Sequence, residues 1–526
     1  MKLRWAVIPI YTAAVAVLAA GCASSTSPAP SSPGSGSSAT IPLLTAGEVA
    51  PYSNIDPNKT QGCNDNFCGL FMEHLFNLSP QDQLEPELAT SVTQPDPLTY
   101  VYHLRHGVHF WDGHPMTSAD VVYSLNYQRE PSAFTAVYFD DVKSIEPEGP
   151  FTVVIKLRQP NAGWKYSLSY EGVIFEKSFA LAHKSTLGNP GTLIEATGPW
   201  EIKTYDPTSG MTMTANPHWW GGRVPVRQIS VKFFSTETSE ALAMRAGDID
   251  LAFPSNGKSF AANSGARVTS WLSPTISFFS MDPHVGPWRD VHVRRAVAYA
   301  LNRTDIVAAA GGPQTAVSED TVIPVKQLLS LGTRARVSKT LGQVPQYPYS
   351  LASARQQMAE SAYPHGFTAQ SIIDSTGNDP NVAQVIAAEL HKIGISLKVT
   401  EVPEAKYLAD YSTVPPGGDM FAGLGAVSPD PSILPSYALG SQATYNVAHY
   451  APPVINTLLA RGLTTSNPAQ RLAIYGQVLR QVGTDEPYVV LYGGLSFTAL
   501  SGKFTLPGFY EYPAFFSWAL RLRQAG

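Results

Sequence analysis

YVYHLRHGVHFWDGHPMTSADVVYSLNYQ, residues 100–128, decides the fold class. Apolar side chains alternate with polar or exposed ones from Tyr100 to Arg105, the period of a half-buried strand. His106-Gly107 then turns the chain, Val108-His109-Phe110 is expected to resume a strand, and Asp112-Gly113 makes a second turn. Thr117-Ser118-Ala119-Asp120 reads as a capping box, in which the Thr117 hydroxyl and the Asp120 carboxylate each accept from an otherwise free amide. It opens a helix over 121–128. Two strands that feed a helix predict a mixed α/β protein.

Outward from this stretch the pattern repeats. Thr152 to Leu157 and Ile229 to Phe234 alternate as strands, and Glu237 to Ala246 reads as a helix that Gly247 stops. Asp290 is placed to cap a helix over 291–301, and Asn302 with Asp305 restarts a second one. Residues 381–392 form an amphipathic helix, closed by Gly394 and followed by a strand from Ile395 to Val399. A chain of 526 residues exceeds what one hydrophobic core supports, so at least two lobes are expected.

Residues 1–22, MKLRWAVIPIYTAAVAVLAAGC, predict a bacterial lipoprotein export signal: Lys2 and Arg4 start it, an apolar run follows, and Ala19-Ala20-Gly21-Cys22 forms the cleavage site. Pro9 interrupts the run, which is too short for a spanning helix of roughly 20 residues. Cleavage before Cys22 and lipidation of its thiol are expected. Residues 23–40, rich in Ser, Pro, Gly and Ala, bury nothing and read as a disordered tether. The other two cysteines, Cys63 and Cys68, form a close pair in an exported protein, which predicts a disulfide; half a zinc site would need further soft ligands. The net charge of −5 is modest, and no basic stretch is long enough to grip nucleic acid.

Four stretches carry a resemblance: Tyr102 to Gly113 continued by Pro115 to Ser124; Ala196-Thr197-Gly198-Pro199-Trp200; Asn216-Pro217-His218-Trp219-Trp220-Gly221-Gly222; and Trp288 to Val297. In this order they resemble the extracytoplasmic solute-binding proteins of family 5, the binding lipoproteins of peptide- and nickel-type ABC importers. The resemblance implies a two-lobed periplasmic-binding-protein-like α/β fold with an inserted subdomain and hinge crossovers. Lobe I would comprise 41–79, 196–274 and 490–526, the inserted subdomain 80–195, and lobe II 275–489, with crossovers near 273–281 and 489–492. It also implies a monomer without cofactor or resident metal, which captures oligopeptides or dipeptides and delivers them to permease and ATPase subunits.

By the same resemblance the ligand-facing residues would be Gln61, Cys63 and Asn64 after the first strand, Phe134 and Tyr138 in the insert, Thr275 and Phe278 on a crossover, and Tyr407, Leu424, Val427, Ser428 and Asp430 in lobe II. Peptide-binding relatives hold the ligand's amino end with an aspartate where this chain has Val427. Either Asp430 takes that role, or the ligand is of another kind: an oligosaccharide, a metal chelate, haem. His103, His106, His109 and His114 read as surface or packing residues, Trp219-Trp220 as a packed turn, and Arg294-Arg295 as a structural ion pair. Ser255 and Lys258 fit the S-x-x-K pattern of serine hydrolases, but no S-D-N or K-T-G follows. No catalytic residue is expected. A sensor that has kept the fold and lost transport would share these features.

Overall fold

The computed structural model describes residues 40–49, 54–59, 66–79, 82–313, 315–375, 379–403, 406–407, 419–425, 428–443, 445–509 and 516–525. The opening stretch folds largely as its pattern dictates. Thr99–Leu104 is a strand that buries Tyr100, Tyr102 and Leu104. Thr117 and Asp120 form the capping box of the helix Ser118–Gln128. Val108–Phe110 departs from expectation: it forms no strand, only a single bridge between His109 and Pro115. Pro115 has no amide hydrogen to extend a ladder, so the chain stays a turn closed by Phe110 N–H donating to His114 O at 2.9 Å.

Thr99–Leu104 belongs to a four-stranded antiparallel sheet, in the order Ala89–Asp96, Thr99–Leu104, Thr152–Leu157, Val142–Pro147. A second, larger sheet carries the rest. Its order is Ile395–Val402, Phe367–Asp374, Asp419–Gly425, Arg267–Ser280, Tyr488–Leu500, Leu251–Ala252, Ile41–Val49, Val226–Phe234, Gly210–Ala215, Trp200–Asp206, with Ala316–Val317 also pairing onto Tyr488–Leu500. The two longest strands stand in the middle. They pair antiparallel from Arg267 opposite Leu500 to Ser280 opposite Tyr488, with register irregularities between Leu272 and Ile276 and between Ser277 and Phe278. They therefore join three strands on one flank to five on the other.

Several cores flank this sheet. One gathers residues from 41–78, 170–231 and 500–522 around Trp200 and Trp518. A second fills the four-stranded sheet's face with Tyr102, Phe110, Leu125 and Trp164. Two others draw on residues between Ile276 and Tyr492. The helix Glu237–Ala246 ends as predicted: Gly247 adopts φ +81°, a left-handed geometry that a Cβ would strain. Asp290 caps Val291–Ala300 by accepting from His292 N–H, and Asn302 caps Arg303–Ala309. Asp379–His391 leads into Ile395–Val402, which pairs in parallel with Phe367–Asp374. Among the described residues no helix is long and apolar enough to cross a membrane. Residues 1–39 lie outside them, Cys22 included.

Candidate ligand-binding cleft

The four-stranded subdomain meets the far half of the molecule along one seam. Asn161 starts it: its side-chain oxygen accepts from Gly163 N–H at 2.9 Å, and its amide donates to Asp141 at 2.8 Å, which fixes the loop. Ala162 N–H, so presented, donates to Leu463 O across the seam at 2.8 Å. Gly163 comes so close to the opposite wall that a Cβ there would lie 3.0 Å from Asp430 Cγ and 3.1 Å from Ser432 Oγ. Lys326 and Asp82 bridge the same two parts at 3.4 Å.

On the far wall Asp430 is 2% exposed. Its carboxylate accepts two bonds from the Arg471 guanidinium, at 2.7 and 2.8 Å, and two from Ser432, at 2.7 and 3.0 Å. Burial pushes this carboxyl up, but the Arg471 hydrogen bonds and charge, aided by Ser432, outweigh it and hold the group below its ordinary range. Arg471 also donates to Gly462 O at 3.0 Å. Asp430 is thus already neutralised by a protein cation. A cavity of about 540 Å³ lies beside the pair, lined by Tyr100, Asn161 and Lys165 on one side and Leu331, Thr464 and Arg471 on the other.

Beyond the turn Trp164–Ser169 the near wall carries Tyr170 and Glu171. Tyr138 packs edge-on against Tyr170 with ring centres 5.6 Å apart, and Tyr437 of the far wall, which packs against Tyr445 at 5.9 Å, lies near enough to influence its phenol. Glu171 is 5% exposed. Among the described residues no side chain donates to its carboxylate and no cation stands against it. Burial alone drives this carboxyl well above its ordinary range. Burial raises the phenols of Tyr138, Tyr170 and Tyr437; the charge of Glu171 adds next for Tyr138, and for the other two it adds less than the neighbouring tyrosines do.

The remaining expected site residues scatter. Thr275 lies on the central strand opposite Gly425, and Leu424 pairs with Ile276. Phe278 is buried edge-on against Tyr488 at 5.0 Å, inside a core. Tyr407 is buried in the same core. Ser428 is buried; its hydroxyl accepts from Asp430 N–H at 3.2 Å and its carbonyl from Gln327 at 2.8 Å. Phe134 opens the turn that carries Tyr138. Gln61, Cys63, Asn64 and Val427, and the side chains of Phe134 and Leu424, lie outside the described residues; Cys68 is fully buried. Of the expected residues Tyr138 and Asp430 lie at the seam; Glu171, Tyr170, Tyr437 and Arg471, which lie there too, are not among those expected. The local signal was an acid set between an aromatic turn and the apolar run Val173–Phe175.

The motif residues take scaffold roles. Both indole N–H groups of Trp219 and Trp220 donate to the buried Glu73 carboxylate at 3.0 Å, and Arg105 stacks 3.9 Å over Trp220. Among the described residues Arg294 and Arg295 do not form the expected close ion pair: near the acids Asp485 and Glu486, they donate to the Asp485 and Thr484 carbonyls, at 2.6 and 2.8 Å. These end the helix Pro468–Asp485, where free carbonyls and the helix dipole favour cations. His103, His106 and His109 are exposed. His114 is exposed too and contacts Asp112 and Glu176 at 2.6 and 3.2 Å, three ligand-bearing groups within 4.8 Å of one another. Ser255 and Lys258 are exposed, and Asn256 between them caps Gly257–Ser264.

This architecture has relatives. A Brucella ovis protein designated for ABC-transporter peptide binding is 26% identical over 501 residues, covering 88% of this chain and 91% of its own. Heme-binding protein A of Haemophilus influenzae is 24% identical over 456 residues, 80% of this chain and 81% of its own. The Helicobacter pylori periplasmic binding protein DppA, solved with the peptide STSA, superposes with a TM-score of 0.73 at 22% identity, over 93% of this chain and 99% of that one. The fold is that of the two-lobed periplasmic binding proteins. The profile of the bacterial extracellular solute-binding proteins, family 5, matches residues 83–446, and the chain belongs to that family of ABC-transporter substrate-binding proteins.

Proposed function

We propose that this chain is the lipid-anchored, extracytoplasmic peptide-binding component of an ABC importer. It captures short peptides between two lobes and hands them to a permease. The lobes are 41–79, 196–274 and 490–526 on one side and 275–489 on the other, with 80–195 as the inserted subdomain. The observation that carries this reading is the seam, where the insert's Ala162, Gly163 and Tyr138 face Leu463, Asp430 and Tyr437 while two long strands join the halves behind. A ligand that touches both walls stabilises the closed form over the open one. Cys22 carries the lipid, residues 23–40 are the tether, and a Cys63–Cys68 disulfide stiffens the loop after the first strand. The protein acts as a monomer and performs no chemistry.

The peptide class is supported by the Brucella and Helicobacter relatives and by aromatic walls suited to apolar side chains. Thermal unfolding with pools of tri- to pentapeptides, of short oligosaccharides and of haem tests it. Ligand at 100 times its dissociation constant adds about 2.7 kcal/mol. Stabilisation by peptides alone is the expected result; stabilisation by sugars or haem alone overturns it.

A further inference from the structure

Asp430, the acid nearest the family's amino-end anchor, is saturated by Arg471 and Ser432. Glu171, on the opposite wall, has no such counterion among the described residues. Glu171 is a buried residue that lacks a side-chain donor among the described residues; it follows Tyr170, whose ring packs against Tyr138, and its charge reaches Tyr138 and, across the seam, Tyr437. A buried carboxylate without a cation is costly, and a carboxylate set among aromatic rings matches an ammonium or guanidinium group.

We propose that Glu171, with Tyr138, Tyr170 and Tyr437, forms a cation-binding subsite that holds the positively charged end of the ligand. The inference rests on the reading of the seam as the ligand cleft, and it moves the anchor from the lobe II wall to the inserted subdomain. It explains how a chain with valine at position 427 binds a charged amino end. The rings of Tyr138 and Tyr437 would close over the cation when the walls meet. The upward displacement of the Glu171 carboxyl by burial agrees: an arriving cation would lower it again and favour release of a proton.

The test is titration calorimetry and thermal unfolding of the protein, Glu171→Gln and Glu171→Asp. The probes are a tri- to pentapeptide pool lacking Lys and Arg, the same pool N-acetylated, and tetramethylammonium chloride. Free-amino peptides should bind the parent protein and release protons to the buffer. Acetylation or Glu171→Gln should weaken binding by roughly 30-fold or more and abolish the proton release, with partial recovery in Glu171→Asp. Glu171→Gln removes a buried acid and should melt no lower than the parent in the absence of ligand. Equal binding of free and acetylated pools by the parent and by Glu171→Gln overturns the subsite and leaves the peptide reading standing. Binding of tetramethylammonium that depends on Glu171, without peptide binding, supports the subsite and overturns the peptide reading. No binding of any cationic probe overturns the subsite.

Discussion

Replacing Arg471 by alanine should cost about 3–5 kcal/mol at neutral pH, because it leaves Asp430 buried and charged without a counterion. The structure sets that magnitude. Both partners are almost fully buried, and the guanidinium supplies two short bonds to the carboxylate in a side-by-side geometry. Ser432 alone remains to hold the charge. The pH dependence follows from the sign of each displacement. In the parent protein the Asp430 carboxyl lies below its ordinary value of 3.8, so its contribution is present above that value and disappears only as pH falls further. In Arg471→Ala the displacement reverses, and the variant should regain stability as acid protonates Asp430. Urea unfolding followed by tryptophan fluorescence at neutral and mildly acidic pH measures both effects. Asp430→Asn with Arg471→Met removes both charges and should cost less than half of the single change. A single variant that loses under about 1 kcal/mol at neutral pH, or a double variant as damaged as the single one, refutes the reasoning.

Other expectations concern separate parts of the fold. Gly163→Ala places a methyl group against Asp430 and Ser432 and should destabilise the seam by about 1–3 kcal/mol in urea unfolding; a neutral result means that the walls give way freely. Thr117→Ala removes the capping box of Ser118–Gln128 and should cost about 1 kcal/mol, read from the same curves. Phe278→Ala should cost about 3–5 kcal/mol while leaving peptide affinity of the folded protein unchanged; lost affinity at unchanged stability would return Phe278 to the ligand. Burial raises the Glu73 carboxyl, against the pull of Trp219, Thr197 and Trp220. Its contribution is therefore complete below its ordinary value of 4.5 and declines as pH rises through the raised one. Between about pH 5 and 8 the melting temperature should fall less steeply in Glu73→Gln than in the parent protein.

What could be read from the sequence was what neighbours along the chain decide. The capping box at Thr117, the helix Glu237–Ala246 with its glycine stop, and the strand Thr152–Leu157 all follow from residues within a few positions of one another. Val108–Phe110 misled because alternation alone cannot register that its partner is a proline. Arg294 and Arg295 misled for the opposite reason. Two adjacent cations suggest carboxylate partners, whereas the fold brings them the carbonyl end of a helix 189 to 191 residues downstream. Glu171 did not stand out in the sequence because its distinction is the lack of a counterion among the described residues. That is settled by which side chains Tyr138 and Tyr437 bring with them, not by its neighbours in sequence.

Trp518 closes the core that begins at Ile41: its indole donates to Asn66 O at 2.8 Å, and Ser517 bonds Gly69 across 448 positions of chain. The half of the molecule that is made first is therefore finished last. Joining ends that far apart in an otherwise unstructured chain costs about 5 kcal/mol in loop entropy. The far half depends on no such late arrival, since its cores lie between Ile276 and Tyr492. Once it forms, Phe278 stands opposite Val490, and the loop still to be closed shrinks by more than 200 residues. We expect folding to follow that order, with the second half serving as the template on which the two ends of the chain meet. Removing the last ten residues should leave that template intact and the first half open.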